Sequence, residues 1–253
     1  MIAALLQARM SSSRLPGKVL APIRGRPMLV RQLERIARAR TVDRLLVATS
    51  ADPRDDAVEQ AAASIGVESF RGSLEDVLDR FVGAARACEA THVVRLTADC
   101  PLADPRVIDA VVELHLAQRN DYTSNVLQLT FPDCLDVEVA TAAALERAWS
   151  DAHEPYEREH VTPHLYRRPE RFRLGCLTRA RDLSRLRLTV DHEADLAVVR
   201  ELYEELHPAR EDFGLPEIVA ALERRPELLW RNAAHNARAR TAGHAPPSTE
   251  PFL

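Results

Sequence analysis

The chain has 253 residues, of which 46% are hydrophobic and 28% charged, as is typical of a globular protein with a sizeable core. Its net charge of −4 excludes a strongly basic surface, so nucleic acid is not an expected partner. No apolar run approaches the roughly 18 residues that span a bilayer, and we recognise no signal peptide, so we expect no membrane partner and a cytoplasmic location. The four cysteines form no CxxC pair, which argues against a zinc site or a disulfide framework.

Strand and helix patterns alternate through the first half of the chain. Short apolar runs predict strands over 2–8, 43–50 and 91–99. Amphipathic stretches predict helices over 27–40, 54–66, 73–88 and 104–118, with Ser73 as a capping residue. This order predicts an α/β protein with a mostly parallel central sheet and helices on both faces.

The second half is less regular. We expect strands within 121–125, 135–141, 171–178 and 186–191, and helices near 142–151, 156–167, 193–206 and 215–228. From about residue 231 the chain has few apolar residues, several arginines and several prolines, which predicts a disordered tail. The expected organisation is therefore one domain over 1–230 followed by a tail over 231–253.

The first predicted strand runs directly into the stretch QARMSSSRLPGK, residues 7–18. In an open α/β sheet, ligands bind beyond the carboxyl ends of the strands, which is where this stretch lies. Its small residues allow backbone N–H groups to approach an anion, and Arg9, Arg14 and Lys18 supply positive charge. It is not a Walker A loop, because a serine and a valine stand where that motif needs Gly and Ser or Thr. The stretch predicts a polyphosphate cradle, with a solvated basic loop as the alternative.

Several stretches, taken in order, resemble one enzyme family. They are QARMSSSRLPGKVL, ATS at 48–50, FRGSLEDVLDRF at 70–81, RLTADCPLADP at 95–105, FPDCLDVEV at 131–139, EREHVTPHLY at 157–166 and RLTVDHEADL at 187–196. They resemble the cytidylyltransferase family of spore coat polysaccharide biosynthesis protein F, which is related to the CMP-Kdo and CMP-sialic acid synthetases. The resemblance implies a nucleotide-diphospho-sugar transferase fold of the GT-A, Rossmann-like kind. Ser11 and Cys134 stand where the family usually has glycine, and His192 where Thr or Tyr is common; Cys134 leaves the identity of the acceptor open.

The resemblance implies transfer of CMP from CTP to a small anionic acceptor, typically a sugar acid, with release of pyrophosphate and with Mg²⁺ as cofactor. It places magnesium ligands at Asp99 and Asp191, each of which could instead cap a helix. The residues implied for charge stabilisation in catalysis are Arg9, Arg14 and Lys18. Those implied for nucleotide contacts, with ordinary turn chemistry as the alternative, are Ser12, Ser13, Ala48, Thr49, Ser50, Arg71 and Gly72. Those placed in the acceptor region are Asp133, Asp136 and Glu138, although Glu138 could face solvent on an alternating strand.

Glu157, His160 and His164 share a predicted helical face but lack the full HExxH pattern. We therefore interpret this segment as acceptor-binding or dimer-packing, with His160 as the candidate substrate residue. Two other functions stay open: a sugar-nucleotide-dependent glycosyltransferase of polysaccharide biosynthesis, and a non-catalytic nucleotide-binding regulator. The first often needs a D-x-D motif, and the second is expected to have lost Lys18 or one of the metal-site aspartates. The expected partners are CTP and the acceptor, with a homodimer as a candidate assembly.

Overall fold

A computed structural model describes residues 1–235. Its strands are β1 Ile2–Gln7, β2 Pro22–Ile23, β3 Arg26–Pro27, β4 Arg44–Ser50, β5 Glu68–Gly72, β6 His92–Thr97, β7 Tyr122–Ser124, β8 Glu138–Thr141 and β9 Leu174–Cys176. Seven of them form one sheet in the order β5-β4-β1-β6-β8-β7-β9, while β2 and β3 pair with each other. Among the described strands of the large sheet, only β8 runs antiparallel to its neighbours. The predicted mostly parallel sheet is confirmed.

Helices cover both faces of this sheet, as predicted. They are α1 Met28–Ile36, α2 Asp56–Ala63, α3 Val77–Ala87, α4 Pro105–Gln118, α5 Ala142–Asp151, α6 Pro155–His160, α7 Pro163–Tyr166, α8 Glu193–Leu206, α9 Leu215–Arg224 and α10 Glu227–Arg231. The alternation of β1 divides the core: Ala4 and Leu6 pack with α1, α2, α4, α8 and α9, whereas Ala3 and Leu5 pack with α3 and α5. The strand ends that face the ligand-binding edge are thereby held by two buried layers.

Three helix predictions differ from the structure. The helix predicted near 215–228 is divided, because α9 ends at Arg224 and α10 begins at Glu227, after Pro226. The side chain of Asp76 caps α3 by accepting from Asp79 N at 2.9 Å, whereas Ser73 Oγ accepts from Asp76 N at 3.0 Å and shapes the preceding turn. The predicted cap at Ser73 is therefore wrong by three residues. The single helix predicted over 156–167 is two, because Val161 has φ 71°, a left-handed conformation that a β-branched residue rarely adopts and that ends α6.

The strand predicted over 186–191 is absent from the described structure. Leu186, Leu188 and Val190 are buried, as their alternation suggested, but they bond to loops and not to a neighbouring strand. Leu188 N donates to Asp133 O at 3.0 Å, and Val190 N donates to Asp99 O at 2.8 Å. The pattern therefore predicted burial correctly and the conformation wrongly.

The predicted tail begins inside ordered structure. Arg231 ends α10, Asn232 is 2% exposed, and a 3₁₀ turn follows over Ala233–His235. The polar composition of the whole tail concealed these few packed residues, and the remainder of the prediction, 236–253, lies outside the described residues. No helix in residues 1–235 is long and apolar enough to cross a membrane.

Candidate active site

The opening loop leaves the carboxyl end of β1 and closes on itself through one carbonyl. Met10 O accepts from Ser12 N at 2.9 Å and from Gly17 N at 3.1 Å, and Met10 N donates to Asp55 Oδ1 at 2.7 Å. Gly17 has φ 71°, which glycine adopts at no steric cost, and it leads into a 3₁₀ turn that begins at Lys18. The loop therefore fixes Lys18 at the edge of the sheet.

Lys18 lies between the two predicted metal ligands. Its Nζ donates to Val190 O at 2.7 Å and to Asp191 Oδ1 at 2.9 Å, and it lies 3.6 Å from Asp99 Oδ2. Its side chain is only 11% exposed, and it is the one lysine among the 34 basic side chains of the sequence. The bond from Val190 N to Asp99 O holds the two aspartates side by side, although only Asp99 follows a strand. The structure thus brings together Lys18, Asp99 and Asp191 as the sequence predicts.

Asp191 is buried among positive charges. Arg14 Nη2 donates to its Oδ1 at 2.7 Å, and Arg187 Nη2 donates to its Oδ2 at 3.1 Å. Burial acts to raise the pKa of Asp191, but the charges of Lys18 and Arg14 and the hydrogen bonds from Lys18 and Arg187 outweigh it. The pKa therefore lies below the ordinary 3.8, and the carboxylate is ionised at neutral pH.

The helix-capping alternative is wrong for both aspartates. The side chain of Asp104, not Asp99, caps α4 by accepting from Arg106 N. The N-terminus of α8 is capped at His192, where Asp195 accepts from the backbone. Neither Asp99 nor Asp191 is therefore committed to a helix cap.

A cavity of about 280 Å³ opens over the loop. It is lined mainly by the loop itself and by the end of β6: Ala8, Arg9, Ser11, Ser12, Ser13, Arg14, Lys18, Arg95, Thr97 and Asp99, with Glu159 and His160 from α6. Four cationic side chains thus face two carboxylates, which leaves an excess of positive charge. Arg9 forms no salt bridge with any described carboxylate, so its charge stays available to an anion.

A second cavity, of about 500 Å³, adjoins the first and shares Arg95, Thr97 and His160 with it. Its other walls come from the acceptor region and the α6–α7 segment: Val126, Leu127, Asp136, Glu138, Tyr156, Thr162, Pro163 and Tyr166. The predicted substrate residues Asp136, Glu138 and His160 therefore line one space. Two adjoining cavities with a common wall are suited to two reactants.

Glu138 anchors this common wall. It pairs with Arg95, and it accepts from Tyr122 Oη at 2.6 Å and from Thr162 Oγ1 at 2.5 Å. It is 8% exposed, so the solvent-facing alternative is wrong, because β8 is an interior strand of the sheet. Burial, together with this carboxylate, raises the pKa of Tyr122 well above its usual range.

Some predicted residues lie elsewhere. Asp133 lines neither cavity and instead pairs with Arg187 at 3.3 Å. The guanidinium of Arg71 is taken up by Ser50 O and Asp52 O and by two carboxylates on α2, so it ties β5 to the turn after β4. The predicted nucleotide residues of these two strands, Ala48, Thr49, Ser50, Arg71 and Gly72, likewise line neither described cavity.

Gly72 makes room for an arginine that the sequence did not single out. A Cβ on Gly72 would lie 3.0 Å from Arg80 Cγ, so the glycine admits the Arg80 side chain. Arg80 is fully buried, and its Nη1 donates to Ser73 O at 2.7 Å, while Nε and Nη2 have no acceptor among the described residues. Burial and the nearby charge of Arg9 lower the pKa of Arg80 to about 10.

Arg95 is a second cavity residue that the sequence pattern does not reveal, because it lies in a run that predicts a core strand. An arginine inside an otherwise apolar strand was the available signal, because a buried charge needs a partner or a function.

Cys134 is the opposite case, because the sequence analysis singles it out and the structure places it away from both cavities. It is 1% exposed with φ 103°, a conformation that favours glycine, so its departure from the family pattern concerns the backbone and not a cavity wall.

The donors present fit a hard divalent cation that keeps most of its waters. No group of three or more His, Cys, Asp or Glu side chains within residues 1–235 could hold a metal by itself. Asp99, whose side chain is 28% exposed, lines the loop cavity, and Asp191 lies against the same ammonium. One or two carboxylates with substrate phosphate is the ligand set that Mg²⁺ commonly takes.

The fold and the charged loop at the carboxyl edge of the sheet define an α/β nucleotidyltransferase. The Cytidylyltransferase family profile matches residues 3–209. The spore coat polysaccharide biosynthesis protein SpsF of Bacillus subtilis is 34% identical over 246 residues, which cover 91% of this chain and 97% of that protein. A solved cytidylyltransferase from Leptospira borgpetersenii superposes with a TM-score of 0.86 at 33% identity, covering 90% of this chain and 96% of that one. The solved CMP:2-keto-3-deoxy-manno-octonic acid synthetase with CTP shares the fold, with a TM-score of 0.61 at 21% identity over 81% and 98% of the two chains.

The chain belongs to the Cytidylyltransferase family. It is therefore an enzyme that transfers CMP from CTP, and the family and transferase predictions are confirmed. This result favours the transferase over the glycosyltransferase and regulator alternatives.

Proposed function

We propose that this cytidylyltransferase transfers CMP from CTP to the hydroxyl of a small anionic acceptor, a sugar acid or a related molecule, and releases pyrophosphate. The observation that carries the proposal is the pair of adjoining cavities that meet at Arg95, Thr97 and His160. The first has excess positive charge and a loop of small residues, as a triphosphate requires. The second is large enough for a sugar-sized molecule and opens onto the same wall.

In the first cavity, Arg9, Arg14 and Lys18 hold the phosphates, and the serines at 12 and 13 add hydroxyl and N–H donors. Their charge stabilises the pyrophosphate as it leaves, because negative charge grows there when the bond from the α-phosphorus breaks. The buried charge of Arg80 adds to the positive field beneath Arg9. The nucleoside contacts of Ala48, Thr49, Ser50, Arg71 and Gly72 remain predictions.

The proposed cation is Mg²⁺, with Asp99 and Asp191 as its protein ligands. When bound, it supplies charge neutralisation and polarisation at the α-phosphate. Lys18 holds both carboxylates at one place before the nucleotide arrives, which lessens the repulsion between them. Lys18, Arg14 and Arg187 together hold the pKa of Asp191 below its ordinary value against the effect of burial, so this ligand is already ionised at neutral pH.

In the second cavity, the acceptor lies with its hydroxyl toward the common wall. Arg95 and His160 are the groups there that can meet an acceptor carboxylate, while Asp136 accepts hydrogen bonds from sugar hydroxyls. The acceptor oxygen forms a bond to the α-phosphorus as the bond from that phosphorus to the leaving pyrophosphate breaks, and the hydroxyl proton passes to solvent water. A relative that is named for polysaccharide biosynthesis supports a sugar-derived acceptor.

The test is pyrophosphate release with CTP, Mg²⁺ and a panel of sugar acids. Asp136→Asn should raise KM for the acceptor about tenfold and leave the Kd of CTP nearly unchanged, since Asp136 lines only the second cavity. Glu159→Gln is the matched control. Because Glu159 lines only the first cavity, this variant should leave the KM for the acceptor nearly unchanged. A thermal shift that is larger with UTP or GTP than with CTP, or no pyrophosphate with any sugar acid, would contradict the proposal.

A further inference from the structure

The position of Asp191 depends on side-chain contacts more than on a strand. Its segment forms one isolated bridge, between Asp133 and Arg187, and otherwise bonds to loops. The Oδ2 atom of Asp191 is held by Arg187 Nη2 at 3.1 Å. Arg187 therefore holds the carboxylate oxygen of Asp191 that Lys18 and Arg14 do not hold.

Arg187 is oriented in turn by Asp195. Its Nε donates to Asp195 Oδ1 at 3.0 Å, and its Nη2 donates to Asp195 Oδ2 at 2.9 Å. Asp195 Oδ2 also accepts from the backbone N–H groups of Asp191 and His192, at 3.0 and 2.9 Å. Asp195 is 1% exposed, so one buried carboxylate fixes both the arginine and the backbone that carries Asp191.

The C-terminal segment completes this network. Asn232, just beyond α10, donates through Nδ2 to Asp195 Oδ1 and to Arg187 O, both at 3.1 Å. It is 2% exposed, and three residues later the ring of His235 stacks on that of His192 with 3.8 Å between centroids. The segment thus contacts both ends of the stretch that carries Asp191.

We propose that Asn232 is a positioning residue for the reaction. It holds Arg187 and Asp195 in register, and through them it holds the Asp191 carboxylate where Lys18 and the cation need it. This role rests on the proposed function of Asp191. It makes the first residues beyond α10 part of the active centre, although their composition predicts a disordered tail.

Three full-length variants separate positioning from packing. Asn232→Ala removes the amide, and Asn232→Asp keeps its shape but sets a carboxylate against Asp195. Arg231→Ala is the control, because Arg231 lies on the same segment and its one salt bridge within residues 1–235 is with Glu201 on the surface of α8. Asn232→Asp should be the more disruptive of the two whatever the role of Asn232, because it buries a second carboxylate beside Asp195. The Mg²⁺ dependence and the contact between Arg187 and Asp191 therefore separate positioning from packing.

We expect Asn232→Ala to lower kcat by roughly tenfold to a hundredfold and to raise the Mg²⁺ concentration that half-saturates CTP binding in calorimetry several-fold. Asn232→Asp should lower kcat and raise this Mg²⁺ concentration further than Asn232→Ala does. The Arg231→Ala control should stay within about twofold of wild type on both measures. In a crystal structure of Asn232→Ala, the contact between Arg187 and Asp191 should lengthen or break.

The inference is wrong if Asn232→Ala keeps that contact and keeps its Mg²⁺ dependence, even if its melting temperature falls. It is also wrong if the Asp variant is milder than the Ala variant. Failure of the proposed function would be seen in the wild-type protein, as an absence of cation-dependent CTP binding. In that case the crystallographic comparison still decides whether Asn232 positions Asp191.

Discussion

Replacing Lys18 with methionine is the sharpest perturbation of the site. Lys18→Met keeps most of the stem and removes only the ammonium, which bonds Val190 O and Asp191 and lies against Asp99. Because Lys18 lies in a loop, its sequence position alone predicts that the substitution leaves the free energy of unfolding unchanged. The structure predicts otherwise, because the side chain is 11% exposed and its loss strips a buried carbonyl and a buried carboxylate of a donor.

The size of the stability loss depends on the hydrogen bonds that Asp191 keeps after the substitution. A hydrogen bond to a charged group contributes roughly 1.5–3 kcal/mol, and Asp191 retains Arg14 and Arg187 after the substitution. We therefore expect the free energy of unfolding to fall by about 2 kcal/mol, near the low end of that range. Turnover should fall by about 10²–10³, because the ammonium also stabilises charge on the phosphates.

Urea unfolding measures the first quantity, and pyrophosphate release from CTP measures the second. Lys18→Arg separates charge from geometry, since a planar guanidinium keeps the charge but cannot occupy the compact position of an ammonium. A Lys18→Met enzyme with wild-type turnover would refute the loop as a phosphate cradle. Unchanged stability would refute the assigned role of the ammonium between the aspartates.

Other predictions concern the backbone at Cys134, the change in unfolding free energy at low pH and the C-terminal segment. Cys134→Gly should melt higher than Cys134→Ala, because both variants lose the buried sulfur but only glycine relieves the strain of roughly 1–3 kcal/mol at φ 103°. Burial opposes but does not prevent a lowered pKa for Asp191 and Asp195, so their contribution to stability is present above pH 3.8 and is lost as the pH falls through their lowered values. The difference in unfolding free energy between wild type and Arg187→Met should therefore shrink below that pH, and a constant difference would contradict the network. Deleting 232–253 should cut kcat/KM at least tenfold, whereas a deletion of 236–253 should leave it within a few-fold, and equal losses from both would contradict the role of Asn232.

What the sequence could predict was local. The charged loop follows an apolar strand, so its place at the sheet edge and the convergence of Lys18 with Asp99 follow from general rules of α/β folds. Asp191 lies beside Lys18 as expected, but the strand predicted to carry it is absent from the described structure, and its role as a metal ligand stays a prediction. Its position depends on Arg187 and Asp195, whose contacts arise only when the chain folds.

The parts that the sequence missed share one cause. Arg80 and Asn232 are buried and Arg95 is half-buried by tertiary contacts, in segments whose patterns indicate a helix, a tail and a core strand. No local pattern reports which partner a buried polar group will find. Asp133 shows the converse, because its motif suggests the acceptor region while the fold turns it toward Arg187.

The single lysine gives this enzyme an unusual chemical handle. Apart from the N-terminal amine, which bonds Thr91 Oγ1, the chain carries no other amine for an acylating or aldehyde reagent to modify. Modification therefore reports on one side chain in the phosphate cavity, and CTP should protect it. Reductive methylation with a ¹³C-labelled aldehyde would place one side-chain NMR probe between Asp99 and Asp191. A lysine-specific protease has one side-chain target, so its cutting rate measures how often the loop opens.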